Sequence, residues 1–317
     1  MLKYLIRRLV ILLLSLFVAS VVLFILLRLL PGDPANALLG VGATPEQIAA
    51  AQAQIGSDQP LGMQFLTYLG DLIHFDLGTS FVSRSSVLDE ITRRLSVTLP
   101  LALSAFFLAL LIAVPLGVFA AVKANRWYGL VLSIISQIGI AVPVFWLGIL
   151  MVYAFALNLR WLPSGGFPLR GYADPGRAIE SMVLPVLTIA LIMSASLMRY
   201  VRATTLKVLG SDFLRTARAL GESFPEAFIR HGLRNAAVPV VSVLGIELST
   251  TFLGAVVVEQ VFSLPGMGSM LLLGIQQRDY PNIQGVLIVS TLLVLLTGFL
   301  ADILQRLLDP RLRQEAR

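Results

Sequence analysis

Six long apolar runs divide the chain: Leu9–Leu27, Val97–Val122, Gly129–Leu157, Met182–Met198, Ala236–Val258 and Ile283–Leu304. At about 1.5 Å per helical residue, each is long enough to cross a bilayer's hydrocarbon core, and the fourth, which stops at Arg199, is near the short limit. Lipid leaves no partner for an open backbone polar group, so the spanning elements must be helices. The pattern predicts an all-α polytopic membrane protein with six transmembrane helices. The first run follows Lys3, Arg7 and Arg8 and ends in Arg28-Leu-Leu-Pro-Gly-Asp-Pro34, not at small residues. It reads as a retained span, not a signal peptide.

The polar stretches between these runs differ. Residues 31–96 carry Asp33, Glu46, Asp58, Asp71, Asp76, Asp89 and Glu90 and read as an extracytoplasmic helical loop. Thr44-Pro45-Glu46-Gln47 is a helix start with Gly56 as its stop, and Leu61–Phe75 places Phe65, Leu66, Leu69, Leu72 and Ile73 on one face of a second helix. Such a pair serves either as a cap packed on the membrane domain or as a docking surface for a delivered substrate. The longest basic interruption is Arg199–Arg234, with seven Arg/Lys against Asp212, Glu222 and Glu226. Loops of this charge stay in the cytoplasm. Within it Gly221 is a left-handed helix stop. Ser223 with Glu226 reads as a capping box starting a second, short helix, and Pro225 falls in its first turn.

Of the 317 residues 57% are hydrophobic and 13% charged, a balance foreign to a soluble domain. The six-span topology puts sixteen of the 24 lysines and arginines on the inner side and eight on the outer, with both termini in the cytoplasm. The net charge of +6 therefore reports orientation, and nucleic acid is not expected as a partner. With no cysteine, thiolate and disulfide chemistry is excluded. No G-x-x-x-x-G-K-[ST] loop is present, so the chain does not bind ATP that way. His74 and His231 fall in water-facing segments, leaving no base for an intramembrane nucleophile, and no zinc-ligand spacing occurs. No catalytic residue, metal site or cofactor is expected in the chain.

Candidate pathway residues lie inside the runs. Pro143, with Gln137 nearby, interrupts the third run, on a face that either lines a path or packs helices. Pro185 and Pro239 read as first-turn prolines. Glu247 is an acid deep in the fifth run, followed by Ser249 and Thr250. A carboxylate in lipid must be protonated, paired or hydrated, which makes it either a pathway residue or a hydrogen-bond partner of a neighbouring helix.

Two transport readings fit these features: a stand-alone ion-coupled carrier or channel, and a permease driven by a separate ATPase, for which the 199–234 loop would be the lever. Arg215-Thr-Ala-Arg-Ala-Leu-Gly221 followed by Arg230-His-Gly-Leu-Arg-Asn235 resembles the EAA loop of ABC importer permeases, most closely the dipeptide/oligopeptide/nickel branch. The resemblance continues in order through Leu30-Pro-Gly-Asp-Pro34, Asp76-Leu-Gly-Thr-Ser80, Val257–Ser263 with Pro265-Gly266, Arg278-Asp-Tyr-Pro281 and Asp309-Pro-Arg311. Arg215, Thr216 and Ala217 stand where the family pattern has Glu-Ala-Ala. The resemblance implies a bacterial inner-membrane peptide permease that forms half of a translocation pathway. Its implied partners are a second homologous permease, two ABC ATPases carrying ATP and Mg, an extracytoplasmic binding protein and membrane lipid. It implies four regions: 1–30 with the first helix, the 31–96 loop, a 97–306 five-helix core and a 307–317 cytoplasmic tail. The coupling helix is expected to touch the ATPase through Arg215, Ala217, Ala219, Leu220, Gly221, Glu222, Ser223, Phe224 and Glu226. Gln137, Pro143, Glu247, Ser249 and Thr250 are the expected pathway residues.

Overall fold

The computed structural model describes residues 2–29, 39 and 43–308. The Leu30–Pro34 and Asp309–Arg311 segments of the resemblance lie outside the described residues, as does the tail beyond Leu308. Helices α1 (Leu2–Leu29), α2 (Pro45–Ile55), α3 (Leu61–Ile73), α4 (Val87–Val122), α5 (Trp127–Ala141) and α6 (Val144–Met151) are followed by α7 (Pro175–Leu209), α8 (Asp212–Ala219), α9 (Phe224–Ala227), α10 (Leu233–Val261), α11 (Met267–Gln277) and α12 (Tyr280–Leu308). Among the described residues five helices are long and apolar enough to cross a membrane, and α5 with α6 and its π-helical extension to Asn158 makes a sixth as a broken pair bent by 102°.

The helices overrun the apolar runs, and this corrects several expectations. Hydropathy marks the part of a helix that lies in lipid, whereas capping decides where the helix begins. α7 starts at Pro175 because the Asp174 carboxylate accepts from the Arg177 N–H and Pro175 fits the first helical position. Pro185 is therefore deep inside α7, and Pro239 inside α10; neither is a first-turn proline. The third run is not one continuous helix. Val142, held extended at φ −79° and ψ 124° ahead of Pro143, ends α5, and Pro143 opens α6. Helix α11 has no counterpart among the expected elements.

The described residues form two compact units, each discontinuous in sequence. A capped unit takes Leu2–Thr98 with Pro265–Leu295, and a bundle unit takes Leu99–Leu264 with the residues from Leu296 on. In the capped unit, Thr44 and Gln47 form the expected capping box of α2 and Gly56 closes it at φ 69°. Phe65 and Tyr68 of α3 pack on Phe24 of α1, with ring centroids 5.2 and 5.9 Å away. The packed face is Gln64, Phe65, Tyr68, Leu69 and Leu72; Leu66 and Ile73, expected on it, are exposed because they sit roughly 100° round the helix from the packed residues just before them, Phe65 and Leu72. A second core joins Val87 and Ile91 of α4, Met267 and Met270 of α11 and Val286 of α12.

In the bundle unit α7 packs against α5, α6 and α10. It is rich in buried small residues, among them Ala190, Ser194 and Ala195, which lets neighbouring backbones come close. Across the α10–α12 contact a side chain at Gly245 would overlap Ala301, and one turn on the Ser249 and Thr297 hydroxyls are 2.6 Å apart.

Candidate functional site: a capped elbow between two spans

The polar loop of the bundle unit folds as α8, a corner and α9. Helix α8 is amphipathic: Leu214 and Ala217 are buried against Ala227 and Leu209, while Arg215, Arg218, Ala219 and Leu220 are exposed. Its end is a complete Schellman turn. The Glu222 N–H bonds the Ala217 carbonyl at 3.2 Å, the Gly221 N–H bonds that of Arg218 at 3.1 Å, and Gly221 takes φ 99° as expected. At Ser223 the side chain accepts from the Glu226 N–H at 3.4 Å, and Pro225 lies in the first turn. Among the described residues the return bond from the Glu226 side chain is not present, so half of the expected capping box forms.

The helix that Ser223 opens is not the short, separate one expected. α9 runs without a break through a π turn at Phe228–Gly232 into α10. The detached short helix is α8, and α9 is the leading end of the helix that forms the fifth span. Three contacts fix the corner. Glu222 faces Arg230 at 3.6 Å and His231 at 3.3 Å. The Phe224 ring stacks on Phe228 at 6.1 Å. The Arg218 guanidinium lies over the Phe224 ring at 6.0 Å. Beside this fixed backbone two large apolar side chains stand in the open: Leu220 is 82% exposed and Ile229 66%.

Residues 113–314 match the family described as the binding-protein-dependent transport system inner membrane component, and residues 1–102 match its N-terminal companion. The chain is an ABC importer permease of the peptide/nickel family. It is 38% identical over 313 residues to the Glutathione transport system permease protein GsiC of Escherichia coli strain K12. The proteins of that name from E. coli strain CFT073 and Shigella dysenteriae strain Sd197 match to the same degree. Each match covers 99% of this chain and 99% of the relative. The permease is a multi-pass inner-membrane protein and a transport component, not an enzyme, and works with a substrate-binding protein and an ATPase.

The permease does not gather its five expected pathway residues into one cluster. Glu247 is half-buried on α10, where its Oε1 accepts from the Ser196 hydroxyl of α7 at 2.7 Å. Ser249, two residues on, turns to α12 and the Thr297 hydroxyl. Thr250 is exposed and donates to the Glu247 carbonyl of its own helix at 2.9 Å. Gln137 and Pro143 are exposed, on α5 and at the bend that follows it.

Ser196 and Thr297 were not legible in sequence, since a lone serine or threonine in an apolar run carries no signal. A joint in the capped unit was half legible. The fully buried Asp279 carboxylate accepts from the Ser80 hydroxyl, from the Phe81 N–H at 3.0 Å and from the Asn282 amide at 2.8 Å. Two segments quoted for the family resemblance, Asp76–Ser80 and Arg278–Pro281, are thus the two sides of one hydrogen-bonded joint. Arg278 places Asp279 by ending α11 in a left-handed cap at φ 56°.

Proposed function

We propose that the permease forms one half of an ATP-driven pathway for short peptides, glutathione among them, and receives the ATPase's motion through the Gly221 elbow. The observation that carries the coupling reading is the pair of exposed apolar side chains, Leu220 and Ile229, on either side of a Schellman-capped corner. Water gains nothing from such groups on a rigid loop, whereas a partner's cleft does. Arg215, Ala219, Glu222, Ser223, Phe224 and Glu226 frame the contact, and Ala217 anchors it from below. The peptide reading is supported by the relatives' name and by the sequence resemblance to the dipeptide branch.

In this mechanism the permease pairs with a second, similar permease and with two ATPases that hold ATP and Mg. The charge bias supports a cytoplasmic position for both termini and the elbow. ATP must favour one of two states of the pair for anything to move. A push on the elbow enters α10 directly, because α9 and α10 are one helix, and it reaches α7 through α8. The result is a rigid-body tilt of the fourth and fifth spans.

Purification of the permease in mild detergent tests the reading. ATPase subunits are expected to copurify, and the reconstituted assembly is expected to take up trialanine or glutathione only with ATP. Uptake by the permease alone, driven by an ion gradient, would establish the stand-alone carrier instead. Glu247 presents its second carboxylate oxygen beside the Ser196 contact, so Glu247→Gln is expected to shift preference away from cationic peptides by several-fold, the scale of one exposed charge contact. Equal uptake of cationic and neutral peptides by both forms would make the Ser196–Glu247 bond purely structural.

A further inference from the structure

We infer that α3, read from the sequence as part of a water-facing loop, is seated in the outer leaflet of the bilayer, with Met63, Leu66, Gly70 and Ile73 as its lipid-contacting surface. The partner is the acyl-chain layer beside the first span. The inference stands whether or not the peptide reading holds, because it needs only that α1 crosses the bilayer. The leaflet follows from the charge bias that places Lys3, Arg7 and Arg8 in the cytoplasm.

Packing on α1 sets the depth. The Phe65 ring sits between two rings of that helix, with centroids 6.3 Å from Phe17 and 5.2 Å from Phe24. The apolar run ends at Leu27, ten residues beyond Phe17 and three beyond Phe24, or roughly 15 and 5 Å along the helix. Phe65 therefore lies alongside the membrane-embedded part of α1, inside the level of Arg28.

The faces of α3 point the same way. Met63, Leu66, Gly70 and Ile73 recur at i, i+3, i+7 and i+10 and fall within about 80° of one another. Met63 is 55% exposed, Leu66 63% and Ile73 75%, and a side chain added at Gly70 would meet nothing within 4 Å. The polar residues lie elsewhere. Thr67 and Asp71 line a cavity of about 680 Å³ that α3 shares with Arg28, Arg84 and the first turns of α12. Buried Gln64 donates to the Ser57 and Gln59 carbonyls at 3.2 and 2.7 Å. A surface helix in water has one apolar stripe, turned inward. Helix α3 has a second one turned outward, and its polar edge faces the protein's own cavity.

The chemistry of the stripe meets what lipid demands. Asp71 is the single charged residue of α3, and it is on the cavity side. At the edge of the stripe the Thr67 hydroxyl donates to the Met63 carbonyl at 3.1 Å, and the His74 ring bonds the Gly70 carbonyl at 2.8 Å. Polar groups beside the stripe are thus satisfied within the helix. An exposed apolar patch also suits a protein partner; the depth set by Phe17 and Phe24 decides for lipid. A helix whose apolar face enters the acyl boundary beside a span is a familiar way to hold a segment against a membrane.

The chain has no cysteine, so a single-cysteine variant takes one nitroxide label. The test places Leu66→Cys, Ile73→Cys and, as a control on α2, Ala50→Cys in the transporter assembled with cysteine-free partner subunits, in nanodiscs of phosphatidylcholine and phosphatidylglycerol. Accessibility to oxygen, which concentrates in hydrocarbon, is compared with accessibility to a water-soluble nickel chelate. Labels at Leu66 and Ile73 are expected to meet oxygen several-fold more than nickel, and the label at Ala50 the reverse. Both α3 positions are exposed, so packing is left intact, and copurification with the ATPase checks this. Nickel accessibility exceeding oxygen accessibility at both positions would put α3 in water and overturn the inference. Low accessibility to both reagents would also overturn it, by assigning the stripe to a protein partner.

Discussion

The Gly221 elbow and the Asp279 joint both hold a chain reversal in place, but with opposite chemistry. At the joint a fully buried carboxylate takes three hydrogen bonds from Ser80, Phe81 and Asn282. Low local dielectric makes such bonds strong and their loss expensive. At the elbow the glutamate is partly exposed, its partners Arg230 and His231 lie 3.6 and 3.3 Å away, and water screens the attraction. What fixes the elbow above all is the backbone: a left-handed glycine, a Schellman turn and a serine cap, with the side-chain contacts of Glu222, Phe224 and Arg218 added to it. The joint is thus held by side-chain bonds that resist repacking. The elbow keeps its shape while Leu220 and Ile229 on its outer face stay exposed.

The contrast breaks most sharply at Gly221. No atom lies within 4 Å of a side chain added there, so Gly221→Val acts through φ alone. A β-branched residue in that conformation costs about 1–3 kcal/mol, enough to open the corner without unfolding a span. ATP-driven uptake in proteoliposomes is expected to vanish while membrane insertion and expression persist; normal uptake would show that the corner transmits nothing. Next in size is Asp279→Ala, which orphans three buried donors and should destabilise the capped unit by about 2–4 kcal/mol. Hydrogen exchange at the Ser80–Ser83 amides should accelerate while the amides of α9 keep their protection. Exchange unchanged at Ser80–Ser83 would mean that other contacts hold the joint. The smallest effect is expected for Ser223→Ala, where losing one N-cap bond removes about 1 kcal/mol. Uptake should fall only a few-fold, and a complete loss would mean that the serine touches the ATPase instead of merely capping α9.

Much of this was written locally. Thr44, Pro45, Gln47 and Gly56 dictate α2 because capping is a contact between residues three or four apart. Gly221 dictates its corner because only glycine takes φ 99° at little strain. The existence of the spans follows from apolar runs alone, since lipid enforces the helix. Their limits did not follow: α7 begins at Pro175, ahead of the apolar run that opens at Met182, α10 is extended backwards through α9, and the third run breaks where Val142 meets Pro143. The separate short helix was misplaced because no residue pattern announces that α9 continues into α10 through a π turn.

The residues that work in pairs lay beyond the sequence. Glu247 was conspicuous as an acid in an apolar run, but Ser196, 51 positions away, was not. Ser80 and Asp279 are 199 positions apart. Sequence alone determined that the spans exist, where several caps fall and which family the chain resembles, because each depends on neighbours along the chain or on the solvent. Only the tertiary structure decided which polar groups meet, which stay exposed and where the cavity lies, because packing sets those distances and linear order carries no record of them.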